Sequence, residues 1–103
     1  MNEFHEVQAP NKESTLKRVS MAISGNVQGV FFRQSVQEWA DSLGIAGFAE
    51  NRDDGSLYIE AEGESEDLEC FIDWCRQGPP QAKVEHIEQR ALSVENQSGF
   101  AVR

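Results

Sequence analysis

The chain predicts an α+β sandwich in which one antiparallel sheet carries two helices on one face, and three observations lead there. Stretches of period two alternate with stretches of period 3.6 in the order β-α-β-β-α-β. The Asp54-Gly55 dipeptide marks a hairpin between the second and third strands. The 103 residues are 39% hydrophobic and include 6 Phe and 2 Trp, which supplies one core and excludes a second domain.

Residues 1–15 are polar, contain Pro10 and hold no sustained apolar period, so they read as a flexible N-terminal extension before a domain at 16–103. Val19, Met21 and Ile23 then alternate with Ser20, Ala22 and Ser24, a strand with one buried face that Gly25 ends. Phe32, Val36, Trp39, Ala40 and Leu43 form the stripe of an amphipathic helix. Gly44 supplies its left-handed stop, and Ile45 can fold back on the last turn as a Schellman motif asks. A strand from about Gly47 to Asn51 follows; Leu57, Ile59 and Ala61 alternate with Tyr58, Glu60 and Glu62, so 47–62 is a hairpin. Leu68, Phe71, Ile72 and Cys75 mark a second helix with Ser65 as N-cap and acids in its first turns, closed before Gly78-Pro79-Pro80. In 83–92, Val84 and Ile87 break strict alternation, which predicts a strand with a bulge; Phe100 and Val102 suggest a short last strand. This order is the split-βαβ, ferredoxin-like arrangement.

Nine basic residues against eighteen acidic give a net charge of -9, the wrong balance for neutralising a phosphate backbone, so no nucleic-acid partner is expected. An anionic small molecule stays open, because backbone N–H groups and one arginine outweigh distant, screened carboxylates. The first residues lack the basic and apolar regions of a signal peptide, and no apolar run approaches ~20 residues, which predicts a cytoplasmic protein with no membrane contact. A monomer is expected, though nothing in the sequence fixes the oligomeric state. Cys70 and Cys75 lie about 140° apart around one helix and do not readily pair. Cys75 and Trp39 read as packing residues, and the acidic series from Glu60 to Asp73 as a solvated face. His5 and His86 have no second His or Cys at ligand spacing, so no metal site is expected; no cofactor is expected either, since the glycine spacings of nucleotide-binding loops are absent.

Chemistry concentrates in Gly25-Asn26-Val27-Gln28-Gly29-Val30-Phe31-Phe32-Arg33, a glycine-bearing turn from strand to helix. Glycines let successive N–H groups turn toward one point at the positive end of a helix, an anion cradle, and Arg33 can add a bidentate fork. The spacing is neither that of a P-loop nor Gly-x-Gly-x-x-Gly. On local sequence alone the glycines equally suit a plain corner. Asn51 ends the strand after the first helix, and in a right-handed β-α-β unit it shares a sheet edge with the 25–33 turn. Its amide can hold a water beside a bound phosphorus without repelling the anion. Local sequence favours instead an Asx-turn residue opening the hairpin.

At these residues the chain resembles the acylphosphatases. The signature G-x-V-Q-G-V-x-F-R is met by Gly25 to Arg33. A second, G-[aromatic]-x-x-N-x-x-x-G-x-[Val/Ile]-x5-G, is met by Gly47, Phe48, Asn51, Gly55 and Gly63, with Leu57 at the Val/Ile place. The resemblance spans roughly 16–103. It implies hydrolysis of a small-molecule acyl phosphate to a carboxylate and inorganic phosphate, without metal or covalent intermediate. By it, Arg33 and the N–H groups of Val27, Gln28, Gly29, Val30, Phe31 and Phe32 bind the phosphoryl group, and Asn51 positions the attacking water. Glu50 departs from the basic or neutral residue common there. The competing reading is a ferredoxin-like binding or regulatory domain that keeps the cradle without the chemistry.

Overall fold

The computed structural model describes residues 16–103; the expected extension over 1–15, with His5, lies outside the described residues. The elements are β1 (Leu16–Asn26), α1 (Phe32–Leu43), β2 (Ala46–Asn51), β3 (Leu57–Glu64), α2 (Ser65–Gln77), β4 (Lys83–Leu92) and β5 (Phe100–Val102). They build one five-stranded sheet in the order β4-β1-β3-β2-β5. Its four longer strands pair antiparallel, as the alternation predicts, while β5 runs parallel to β2 and makes the sheet mixed. The parallel pair arises because the chain leaves β4 at one edge and returns beside β2 at the other.

One face of the sheet is apolar for the reason read from the sequence. Val19, Met21 and Ile23 of β1 and Leu57, Ile59 and Ala61 of β3 pack against Phe32, Val36 and Ala40 of α1 and Leu68, Phe71 and Cys75 of α2. Trp39 is half-buried at the seam between the helices, its ring 6.4 Å from that of Phe32 and 5.9 Å from that of Trp74. The Cys75 thiol is fully buried, and burial pushes its pKa up, so it packs as an inert apolar group. Among the described residues no helix is long and apolar enough to cross a membrane.

Local signals are realised closely. Gly44 closes α1 in the left-handed region at φ 70°, its N–H reaching the Asp41 carbonyl while Ile45 N–H reaches that of Ala40 at 2.8 Å, the Schellman pair. At the second helix the boundary moves by one residue: Glu64, extended at φ -64° and ψ 146°, is the N-cap, and Ser65 is already helical. The bulge falls in β4, where Ser24 faces His86 and Gly25 faces Val84, leaving Glu85 without a partner. Gly25 takes φ 129°, and a β-carbon there would collide with the Lys83 carbonyl, so only glycine lets the strand turn at this point.

Of the acidic series, Glu64, Glu66, Glu69 and Asp73 are exposed as expected, and Glu62 is the exception. Glu62 and Arg18 are 3% and 2% exposed on the sheet face opposite the helices. Arg18 donates to Glu62 at 3.2 Å, to Glu60 at 2.8 Å and to Gln97 at 3.1 Å. The Glu62 carboxylate also accepts the N–H groups of Glu95 and Asn96 at 2.7 and 2.9 Å, which straps the segment between β4 and β5 across that face. The loop covers a charge cluster that strand alternation alone leaves in water. Replacing Glu62 by alanine orphans two N–H groups and part of a buried guanidinium, so urea unfolding is expected to show a loss of about 2–4 kcal/mol. Burial alone raises the Glu62 carboxyl; the Glu95 N–H, then Arg18 and the Asn96 N–H, outweigh it and hold the pKa below the usual 4.5. A depressed folded pKa contributes stability above 4.5 that is lost as pH falls through the folded value. Melting temperature is therefore expected to fall more steeply below that pH in the wild type than in Glu62→Ala.

Candidate active site

The sheet brings two distant segments to one edge. β1 and β2 both run antiparallel to the intervening β3, so their C-terminal ends lie together. There a cleft of about 390 Å³ is lined by Val27, Gly29, Phe31, Phe32, Arg33, Gln34, Asn51 and Val102. Every residue of that lining except Gln34 and Val102 is one that the sequence singles out. Gln34 directly follows Arg33 in the first turn of α1 and was findable on that ground; Val102 comes from β5 and carries no local signal.

Phe31 to Gln34 of that lining are the N-cap and first turn of α1. Phe31 is its N-cap, in the left-handed region at φ 63° and ψ 22°, and its carbonyl accepts the Ser35 N–H at 3.1 Å. No side chain caps the helix, and no acid stands in its first turn. The first N–H groups of α1 therefore keep their donors, and the helix its positive end, for an anion. Arg33 is half-buried, with Nη1 donating to the Arg103 carbonyl just past β5. That contact tethers the guanidinium of a residue that lines the cleft.

Gln28 and Val30 lie in the same loop but do not line the cleft. Val30 packs against the core. The Gln28 side chain is turned to the hairpin, where Nε2 donates to the carbonyls of Arg52 and Ser56 at 2.9 Å each. One amide thus ties the β1–α1 loop to the residue that follows Asn51.

Asn51 is exposed at the end of β2, opposite Leu57 in the ladder. The Asx turn that local sequence offered to Asn51 is made by Asp54: its Oδ1 accepts the Ser56 N–H at 2.9 Å and the Ser56 hydroxyl at 2.6 Å. The Ser56 hydroxyl and then its N–H hold the Asp54 carboxyl below the usual range. Glu50, the departure noted above, is paired with Arg52 at 3.0 Å, and the Arg52 guanidinium lies 3.9 Å from the centre of the Tyr58 ring. With Arg103 stacked 3.8 Å above Phe48, this edge carries three arginines in a chain of net charge -9. No group of three or more His, Cys, Asp or Glu that could hold a metal ion occurs among the described residues.

The acylphosphatase family model matches residues 19–102. An acylphosphatase of Methylococcus capsulatus is 39% identical over 88 residues, covering 84% of this chain and 96% of the relative. The structure of an acylphosphatase from Coxiella burnetii superposes with a TM-score of 0.84 at 37% identity, over 89% of this chain and 97% of that one. The crystal structure of acylphosphatase from Bacillus subtilis gives 0.82 at 36% identity, over 84% and 98%. Fold, a family match over residues 19–102, 37–39% identity over most of the chain and two ordered motifs converging on one cleft agree: the chain belongs to the acylphosphatase family.

Proposed function

We propose that this chain hydrolyses the carboxyl-phosphate bond of small acyl phosphates, with Arg33 and the loop amides holding the phosphoryl group and Asn51 orienting the water. The observation that carries this reading is that Arg33 and Asn51 line one cleft at an uncapped helix N-terminus. Water oxygen attacks phosphorus, and the acyl carboxylate leaves with the electron pair of the broken P–O bond. The water proton passes to a phosphoryl oxygen. An acyl phosphate already has a good leaving group, so positioning and charge stabilisation suffice and no protein base or metal is required. The products are a carboxylate and inorganic phosphate, and the working unit is a monomer.

Steady-state hydrolysis of benzoyl phosphate in the presence of EDTA tests this. Turnover that persists in EDTA is the expected result. No turnover would leave the fold standing and move the function to a non-catalytic anion-binding domain.

In this reading Gln28 is a positioning residue. Its two bonds to the hairpin set where Asn51 sits relative to the phosphate loop. Gln28→Ala is expected to lower kcat about tenfold, since small displacements of a positioned group are costly, while KM moves less. Kinetics alongside a thermal melt check it: a lower melting temperature with unchanged kcat would make Gln28 merely structural.

A further inference from the structure

Phe31 is the most exposed large apolar side chain among the described residues, at 70% accessible, against 37% for Leu92 and for Val94. Its neighbour Phe32 is 1% exposed in the core, so an aromatic pair is split, one ring inward and one outward. The outward ring comes with a second penalty. Phe31 holds φ 63°, a conformation that glycine takes freely and a bulky aromatic residue rarely adopts. A lone exposed apolar residue is ordinary on a protein surface. One that stands in the left-handed region, outside the core and on the lining of the cleft, combines strain with exposure at a functional site.

The rest of the cleft says what the ring can contact. Val27, Phe32 and Val102 line it beside Arg33 and Asn51, and its volume of about 390 Å³ exceeds what a tetrahedral phosphoryl group occupies. Space and apolar surface remain for the acyl group joined to the phosphate through the anhydride oxygen. We infer that Phe31 is the acyl-group contact of this site, an aromatic platform that favours flat, apolar acyl groups over small aliphatic ones. The inference rests on the proposal that the cleft holds the phosphoryl group, because that fixes which end of the substrate meets the ring. A ring stacked or edge-on against another aromatic group gains beyond simple burial, whereas a methyl group gains little.

The test compares benzoyl phosphate with acetyl phosphate for wild type, Phe31→Gly and Phe31→Trp. Glycine fits the observed φ, so the loop keeps its path; tryptophan keeps an aromatic face. The readout is the ratio of kcat/KM between the two substrates. Intrinsic differences in leaving-group reactivity, and any change common to both substrates, cancel when ratios are compared across variants. The benzoyl-to-acetyl ratio is expected to fall about 5- to 10-fold in Phe31→Gly and to be kept in Phe31→Trp. An unchanged ratio in Phe31→Gly overturns the inference.

Equilibrium binding of phenylphosphonate and methylphosphonate by titration calorimetry gives the same comparison without turnover. Wild type is expected to prefer phenylphosphonate, and Phe31→Gly to lose that preference. Equal wild-type binding of the two, or a preference that survives in Phe31→Gly, overturns the inference. If the wild type hydrolyses neither substrate yet shows the Phe31-dependent preference, the hydrolytic reading fails while the aromatic platform stands.

Discussion

Arg33→Ala is expected to lower kcat/KM for benzoyl phosphate by at least about 100-fold, which corresponds to ~2.7 kcal/mol of transition-state stabilisation. The argument is electrostatic. A carboxyl phosphate brings a dianion to a protein of net charge -9, and Arg33 is the cation that lines the cleft. Its guanidinium presents paired donors in one plane, a match for two phosphoryl oxygens that an ammonium cannot reproduce, so Arg33→Lys should be nearly as poor. Both KM and kcat should suffer, since the charge is present in ground and transition states alike. The fold should survive, because α1 is held to the sheet through Phe32, Val36 and Ala40 rather than Arg33. Circular dichroism and a thermal melt check that, and they also register the lost contact with the Arg103 carbonyl. Near-wild-type kinetics in a folded Arg33→Ala protein would refute the assignment.

Arg33 and Asn51 are legible together from topology alone. A strand, a helix and a second strand running the same way put two strand ends on one edge whatever the loops do, and periodicity had located all three elements. The Schellman closure of α1 was equally legible, because every group in it lies within six residues. Glu62 was not. Its place in β3 says only that it faces away from the helices; that this face is covered depends on Glu95 and Asn96, more than thirty residues later, folding back onto it. Val102 escaped for the same reason: a three-residue strand reaches the cleft only because its chain crosses the sheet. Local sequence misjudged Asn51 by offering it the turn that Asp54 makes, since either residue type can open such a turn and only the loop geometry selects one.

That same geometry sharpens what Asn51 should do. With the Asx turn supplied by Asp54, the Asn51 amide is not needed to fold the hairpin, and Asn51→Ala should melt close to wild type. Its kcat is nevertheless expected to fall by at least about 100-fold, the scale of losing one positioned polar group that acts on the reacting atoms. KM should change much less if, as proposed, the amide orients water rather than substrate; this split separates Asn51 from Arg33. Asn51→Asp sharpens the test further. Aspartate keeps the size and an acceptor oxygen but removes the N–H donors and adds a negative charge beside an anionic phosphoryl group, so it should be no better than alanine at neutral pH. If the residue served only as a hairpin opener, the pattern would invert, with aspartate, a good turn former, restoring stability and activity together. Retained kcat in a folded Asn51→Ala protein would therefore remove Asn51 from the chemistry and leave hydrolysis to the phosphate loop and Arg33 alone.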